Sequence, residues 1–390
     1  MAYPVADSSA TFHIVTSTKF DFDQFIQRAA QGKGPRHSVL QLKDALDARV
    51  HQPDFDELGI VKSIQAKIPK KLYSERLLRR ISRKLPSLFL AKEILTHVKP
   101  QDTIYCCGED MAMPLAVLLL FRANRPRLVT NVMFPERRSF RLIFHTLKLY
   151  RVIHTFTVNT GLKARTLKKM FNLANNQVVV LREQTDKQFF FPEDGTMAKP
   201  RPLIGSAGLE HRDYITLAAA TQDLNLDVKV CAVSPNASSR QQRRIPKPVP
   251  QNMEMRHFDW VELRDLYRSA DITVVCLVEN VFAAGLTVLM EAMACCRPVI
   301  ITKTVGLATE LAEMDLVWGV QPGDVQGLRT CIEYVLAHPE EAEAKAKRAY
   351  QYFLANHTSE GHVDQLTQLL RRVAAGVPVD NLEPANPKLA

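Results

Sequence analysis

Short apolar runs alternate with longer segments of helical periodicity along most of the chain. In the first half the runs predict strands over 12–16, 103–107, 128–132, 155–158 and 178–181. Helices are predicted near 39–48, 88–97, 113–122, 140–150 and 162–171. The runs are continuous rather than alternating, as in strands buried on both faces of a parallel sheet. The rhythm stops near residue 190. The segment 192–202, rich in proline and without periodicity, reads as a linker. Strands then resume over 203–207, 228–233, 272–277, 299–302 and 316–318, with helices near 214–222, 260–269, 287–296 and 325–337. Asp259 with Glu262 three residues later is a capping-box signature. Repeated βα units imply right-handed crossovers and doubly wound sheets. The predicted fold is therefore α/β, with two Rossmann-like parallel-sheet domains facing a cleft. They span 1–192 and 203–375, joined by a linker over 193–202 and followed by a tail over 376–390.

At 390 residues, 46% hydrophobic and 24% charged, the composition is that of an ordinary globular chain. No apolar stretch approaches the roughly 20 residues of a membrane-spanning helix, and the N-terminus does not read as a secretory signal. The seven cysteines include the adjacent pairs Cys106-Cys107 and Cys295-Cys296, which fits neither a disulfide framework nor metal spacing. A reducing, cytoplasmic location is expected. The eleven histidines show no metal motif, and no GxSxG elbow is present.

In open α/β sheets ligands bind beyond the carboxyl ends of the strands, so loops after strands carry the candidates. After the 272–277 strand, small residues and Gly285 precede a helix. The backbone N–H groups of Gly285, Leu286 and Thr287 there offer an anion site. Thr287 and Glu291 share one face of that apolar helix. A buried carboxylate needs hydrogen-bond donors. Glu291 either pairs within the fold or accepts from ribose hydroxyls. After the 203–207 strand come Gly208, which permits close backbone approach, and Arg212, either solvated or placed to neutralise a diphosphate. Gly32-Lys-Gly-Pro-Arg-His fails as a dinucleotide fingerprint. It remains a surface turn or a loop reaching a cleft through Gly34 and Arg36. Glu109 and Asn131 end strands of the first half and could orient an acceptor hydroxyl.

Lys and Arg number 51 against 41 Asp and Glu, and the surplus of 10 is concentrated in the first half. Lys70, Lys71, Arg76, Arg79, Arg80 and Arg83 surround an apolar stripe of Leu77, Leu78, Ile81 and Leu85. Such a basic amphipathic helix either packs on the sheet or lies on an anionic membrane surface. Nucleic acid is not expected as a partner, because no aromatic residues interleave the basic ones.

The segment GLTVLMEAMACCRPVIITKTVG, from Gly285 to Gly306, resembles the nucleotide-sugar signature of the family 4 glycosyltransferases. GLEHRDY, WVELRDLYRSADITVV and VQPGDVQGL support the resemblance over 202–370. VNTGLKARTLKKMFNLANNQVVVL and TDKQFFFP extend it towards the linker. The resemblance implies a divergent, retaining enzyme of GT-B fold. The C-terminal domain would bind a nucleotide-diphosphate sugar as co-substrate, without metal or other cofactor. It casts Glu291 as the second glutamate of an EX7E motif, receiving ribose hydroxyls, and Arg212 as the diphosphate cation. Gly285, Leu286 and Thr287 become backbone donors, and the departing diphosphate takes the acceptor's proton. The chain departs from the pattern twice: Ala283 stands where the first glutamate belongs, and Leu209 follows Gly208 where arginine is usual.

The expected function is a peripheral, cytoplasmic-face glycosyltransferase moving a hexose to a lipid-linked or polysaccharide acceptor. Glu291 and Arg212 would hold the donor, and Gly34, Arg36, Glu109 and Asn131 would serve the acceptor. The alternatives are a non-catalytic GT-B protein with a degenerate donor site and a DNA-modifying transferase.

Overall fold

The computed structural model describes residues 10–53, 85–193, 199–232, 244–280 and 284–379. The described residues form two compact units. The first takes in 10–22, 38–181 and 363–379, and the second 23–37 and 182–362. This division differs from a simple cut at the linker: residues 23–37 count with the second unit, and much of the last helix counts with the first. The six basic residues from Lys70 to Arg83, expected at a membrane, lie outside the described residues.

The first unit holds β1 (Phe12–Val15), β2 (Arg49–His51), β3 (Thr103–Cys106), β4 (Arg127–Asn131), β5 (Ile153–Val158) and β6 (Val178–Val180). They form one parallel sheet in the spatial order β2-β1-β3-β4-β5-β6. The chain reverses its winding between β1 and β3. Alongside run α2 (Ser38–Leu46), α3 (Leu85–His97), α4 (Glu109–Leu119), α5 (Arg138–Thr146) and α6 (Gly161–Phe171); α1 (Phe22–Ala30) falls largely in the segment assigned to the second unit. Ile104, Leu128, Phe156, Leu115, Phe144 and Leu167 anchor its larger core.

The second unit holds β7 (Leu203–Ala207), β8 (Asp227–Cys231), β9 (Met253–Arg256), β10 (Ile272–Val275), β11 (Val299–Thr302) and β12 (Trp318–Val320). This sheet is also parallel, in the order β12-β11-β10-β7-β8-β9, so its switch point lies between β7 and β10. Its helices are α7 (Tyr214–Thr221), α8 (Trp260–Ser269), α9 (Leu286–Ala294), α10 (Leu307–Glu313), α11 (Val325–Ala337), α12 (Pro339–Asn356) and the start of α13 (Ser359–Ala374). The expected capping box is present: the Asp259 side chain accepts from Glu262 N–H, and Glu262 accepts from Asp259 N–H, both at 2.9 Å. No helix among the described residues is long and apolar enough to cross a membrane.

Burial also fixes how stability responds to acid. His13, His37, His51, His154, His357 and His362 all titrate below the ordinary histidine value, chiefly because burial disfavours their charged form. His51 and His357 are pushed down to about 4. A histidine kept neutral in the folded state leaves the unfolded chain binding more protons between about 6.5 and 4, so stability falls with pH across that window. His357 alone contributes on the order of 3 kcal/mol there. Glu291, pushed up to about 7, acts with the opposite sign, but it is one group against six. The urea midpoint is expected to fall continuously from pH 7 to pH 4, and His357→Gln to flatten that slope.

Candidate functional site

The switch point of the second sheet sends out two loops, one after β7 and one after β10, and they are pinned to each other. Asp213 N–H donates to Cys276 O and Val278 N–H to His211 O, each at 3.0 Å. The first loop turns at Gly208, with φ +95°. The Tyr214 hydroxyl donates to Gly208 O at 2.5 Å. The Arg212 guanidinium folds back into this turn, donating from Nε to Ala207 O at 2.8 Å and from Nη1 to Glu210 O at 2.9 Å. A Cβ at Gly208 would fall 2.8 Å from Arg212 Cζ, so this glycine makes room for the cation. Arg212 is only 5% exposed. Among the described residues no carboxylate forms an ion pair with it, although buried charges ordinarily have one. It is not the solvated loop residue that the sequence left open.

The second loop enters α9 through Gly285, with φ +81°, where a Cβ would lie 2.8 Å from Val275 Cγ1. Val275 ends β10, so the helix start is pressed against the strand that the Arg212 loop also joins. Thr302 Oγ1 accepts from Leu277 N–H at 2.9 Å and steadies the exit. α9 has no side-chain cap. Its first internal bond runs from Leu289 N–H to Gly285 O. The N–H groups of Leu286, Thr287 and Val288 therefore have no helical partner and sit at the positive end of the helix dipole.

One turn further, Glu291 is 4% exposed and accepts a hydrogen bond from the Tyr267 hydroxyl of α8 at 2.8 Å. Burial pushes its carboxyl up to about 7, although the Tyr267 hydrogen bond and the Arg212 charge both pull it down. The two internal partners envisaged for it, an arginine ion pair and a backbone cap, are both absent among the described residues. The arrangement joins a buried cation without an ion pair among the described residues, backbone donors without helical partners and a carboxylate poised between charge states. It can receive an anion and hydroxyl donors together.

The remaining sequence candidates have different fates. Gly34 and Arg36 fall in the second unit rather than on an N-terminal acceptor side. Arg36 bonds Asp186 Oδ1 at 2.5 Å and Glu360 Oε1 at 2.6 Å, so its charge is already compensated. At Gly34 a Cβ would meet Trp260 Cδ1 at 3.6 Å, an ordinary packing distance. In the first unit, Glu109 opens α4 at the switch point and accepts from Met133 N–H at 2.9 Å. Its other oxygen, Oε1, is buried without a hydrogen-bond partner, and the nearest cation, Arg137, stands 4.0 Å away. Asn131 closes β4 two residues before Met133, and its Oδ1 is 3.4 Å from Thr157 Oγ1. Tyr267, Tyr214 and Thr302 were not singled out in the sequence. Tyr267 carried a usable signal: with Trp260 and Leu263 it lies on one stripe of α8, the only hydroxyl there.

Residues 219–368 match a family model described as glycosyl transferase-like. No curated protein matches the chain significantly. Similar solved structures include sucrose-phosphate synthase from Thermosynechococcus elongatus, at 16% identity and TM-score 0.70, covering 94% of this chain and 100% of that one. A glycosyltransferase from Rickettsia africae is 14% identical with TM-score 0.64, covering 94% and 99%. An Anabaena protein, HepE, in complex with UDP and glucose is 14% identical with TM-score 0.60, covering 92% and 98%. The chain thus has the two-domain GT-B fold of these proteins, and its residues 219–368 resemble the glycosyl transferase-like family whose model they match.

Proposed function

We propose that the protein is a retaining glycosyltransferase that takes a hexose from a nucleotide-diphosphate sugar. The observation that carries this reading is Arg212, a buried cation with no ion pair among the described residues, beside the uncapped start of α9 and the carboxyl of Glu291. The donor diphosphate supplies the missing anion: Arg212 and the N–H groups of Leu286 and Thr287 hold it, and Gly208 and Gly285 let it approach. Glu291 accepts from the ribose hydroxyls. The acceptor oxygen forms its bond to the anomeric carbon as the bond to the diphosphate breaks, and a diphosphate oxygen takes the acceptor's proton. Arg212 stabilises the charge that develops on the leaving group, without a metal. The acceptor is a lipid-linked or polysaccharide precursor met at the cytoplasmic face of a membrane. HepE was solved with UDP and glucose, which makes UDP the first nucleotide to try.

Ala283, in place of a motif glutamate, favours a second reading, a binding protein of the same fold without turnover. Calorimetric titration with UDP, GDP and ADP, followed by incubation with the matching sugar nucleotides and membrane extract, separates the two. The expected result is micromolar binding of one diphosphate and a product whose anomeric proton coupling matches the donor's. Binding without product supports the second reading. No binding of any diphosphate removes the transferase and favours the second reading in its stronger form, a donor site that has degenerated.

A further inference from the structure

Between Glu136 and Glu183 the chain contains ten lysines and arginines and not one aspartate or glutamate. The stretch includes α5 and α6 of the first unit, and these bound a cavity of about 850 Å³. Phe140 and Phe144 are buried on α5 and pack against Phe171 of α6, which fixes the helix pair. The other face of α5 presents Arg138, Arg141, Leu142 and His145, spaced i, i+3, i+4 and i+7 and therefore in one row. Thr146 of α5 and Thr166, Lys169 and Met170 of α6 complete the lining. Among the described residues, the side chains of Arg138, Arg141 and Lys169 have neither an ion pair nor a hydrogen bond. All three are exposed and free to meet an anion from outside. Leu142, in their midst, is 68% exposed.

We propose that this α5–α6 face docks on a membrane rich in anionic phospholipid, with headgroup phosphates entering between Arg138, Arg141 and Lys169 and Leu142 reaching the acyl boundary. Cations alone would serve any polyanion. An exposed leucine framed by them, with the phenylalanine rings turned inward, suits a lipid interface better than a nucleic-acid one. The inference names the membrane partner of the proposed transferase, but it uses no donor-site residue, so the two can fail separately.

Flotation with phosphatidylcholine vesicles, with and without about 30% phosphatidylglycerol, tests it. Each basic residue at an anionic surface is worth about fivefold in partitioning. The full chain is expected to float only with the anionic vesicles. The double variant Arg141→Glu/Lys169→Glu should partition on the order of 10²-fold more weakly, with unchanged UDP binding, and Leu142→Ser should weaken the portion that survives high salt. Equal flotation of the double variant overturns the proposal. So does tighter binding to duplex DNA than to vesicles, or displacement from vesicles by millimolar glycerol phosphate, which would mark a soluble phosphate site.

Discussion

Replacing Arg212 with methionine is expected to weaken UDP binding by about 10²- to 10³-fold while leaving the melting temperature of the free protein unchanged or raised. The two effects have one cause. The guanidinium is 5% exposed, donates to the carbonyls of Ala207 and Glu210, and among the described residues has no carboxylate in ion-pair contact. Methionine fills a similar volume without that cost, and exchanging buried charge for packed apolar atoms is often neutral or stabilising. With the diphosphate bound, the same cation meets a full counter-charge in a dry site. Truncating such a partner commonly costs 2 to about 5 kcal/mol. Gly208→Ala should act in the same direction by a different route, since its Cβ would displace the guanidinium from a turn already at φ +95°. Arg36→Met is the contrasting control. It leaves buried Asp186 without its cation, so it should lower the melting temperature and leave UDP affinity alone. Calorimetry and thermal melts on the three variants decide the matter. An unchanged UDP affinity in both Arg212→Met and Gly208→Ala would remove Arg212 from the site.

The sheet cores were legible because their strands are buried on both faces and so read as uninterrupted apolar runs. Leu203–Ala207 and Val299–Thr302 match the predicted spans residue for residue. The two strands the pattern missed, Arg49–His51 and Met253–Arg256, sit at sheet edges. An edge strand has one neighbour and a wetter face, so its apolar signal is diluted, as in Met-Glu-Met-Arg. The locations of Arg212 and Glu291 after strands were equally plain, because a glycine turn followed by an apolar helix is a local feature. Their partners were not. Tyr267 reaches Glu291 across 24 positions, and the choice of Ala207 and Glu210 carbonyls for Arg212 depends on a backbone turn that no spacing encodes. Arg36 misled for the same reason: its carboxylates lie 150 and 324 positions away.

UDP affinity is expected to be nearly constant above pH 8 and to fall about tenfold per unit once the pH drops below about 7. Burial sets that midpoint by holding the Glu291 carboxyl near 7. Ribose hydroxyls donate to the carboxylate, and the protonated form must first give up its proton. Between pH 8 and pH 5 the loss is therefore about 10²-fold. Glu291→Gln should bind more weakly at high pH and show no such slope. Tyr267→Phe separates positioning from charge. The Tyr267 hydroxyl donates to Oε2 and favours the ionised form, so removing it should move the midpoint above 7 while leaving affinity at pH 9 within a few fold. Stability carries the opposite sign. A carboxyl whose folded value exceeds its unfolded one opposes folding as the pH rises through the window from about 4.5 to 7, so Glu291→Gln should stabilise the free protein at pH 8. A site selected for stability alone would have discarded that carboxylate. Its presence at 4% exposure, without an ion pair among the described residues, is what a hydroxyl-bearing ligand would explain.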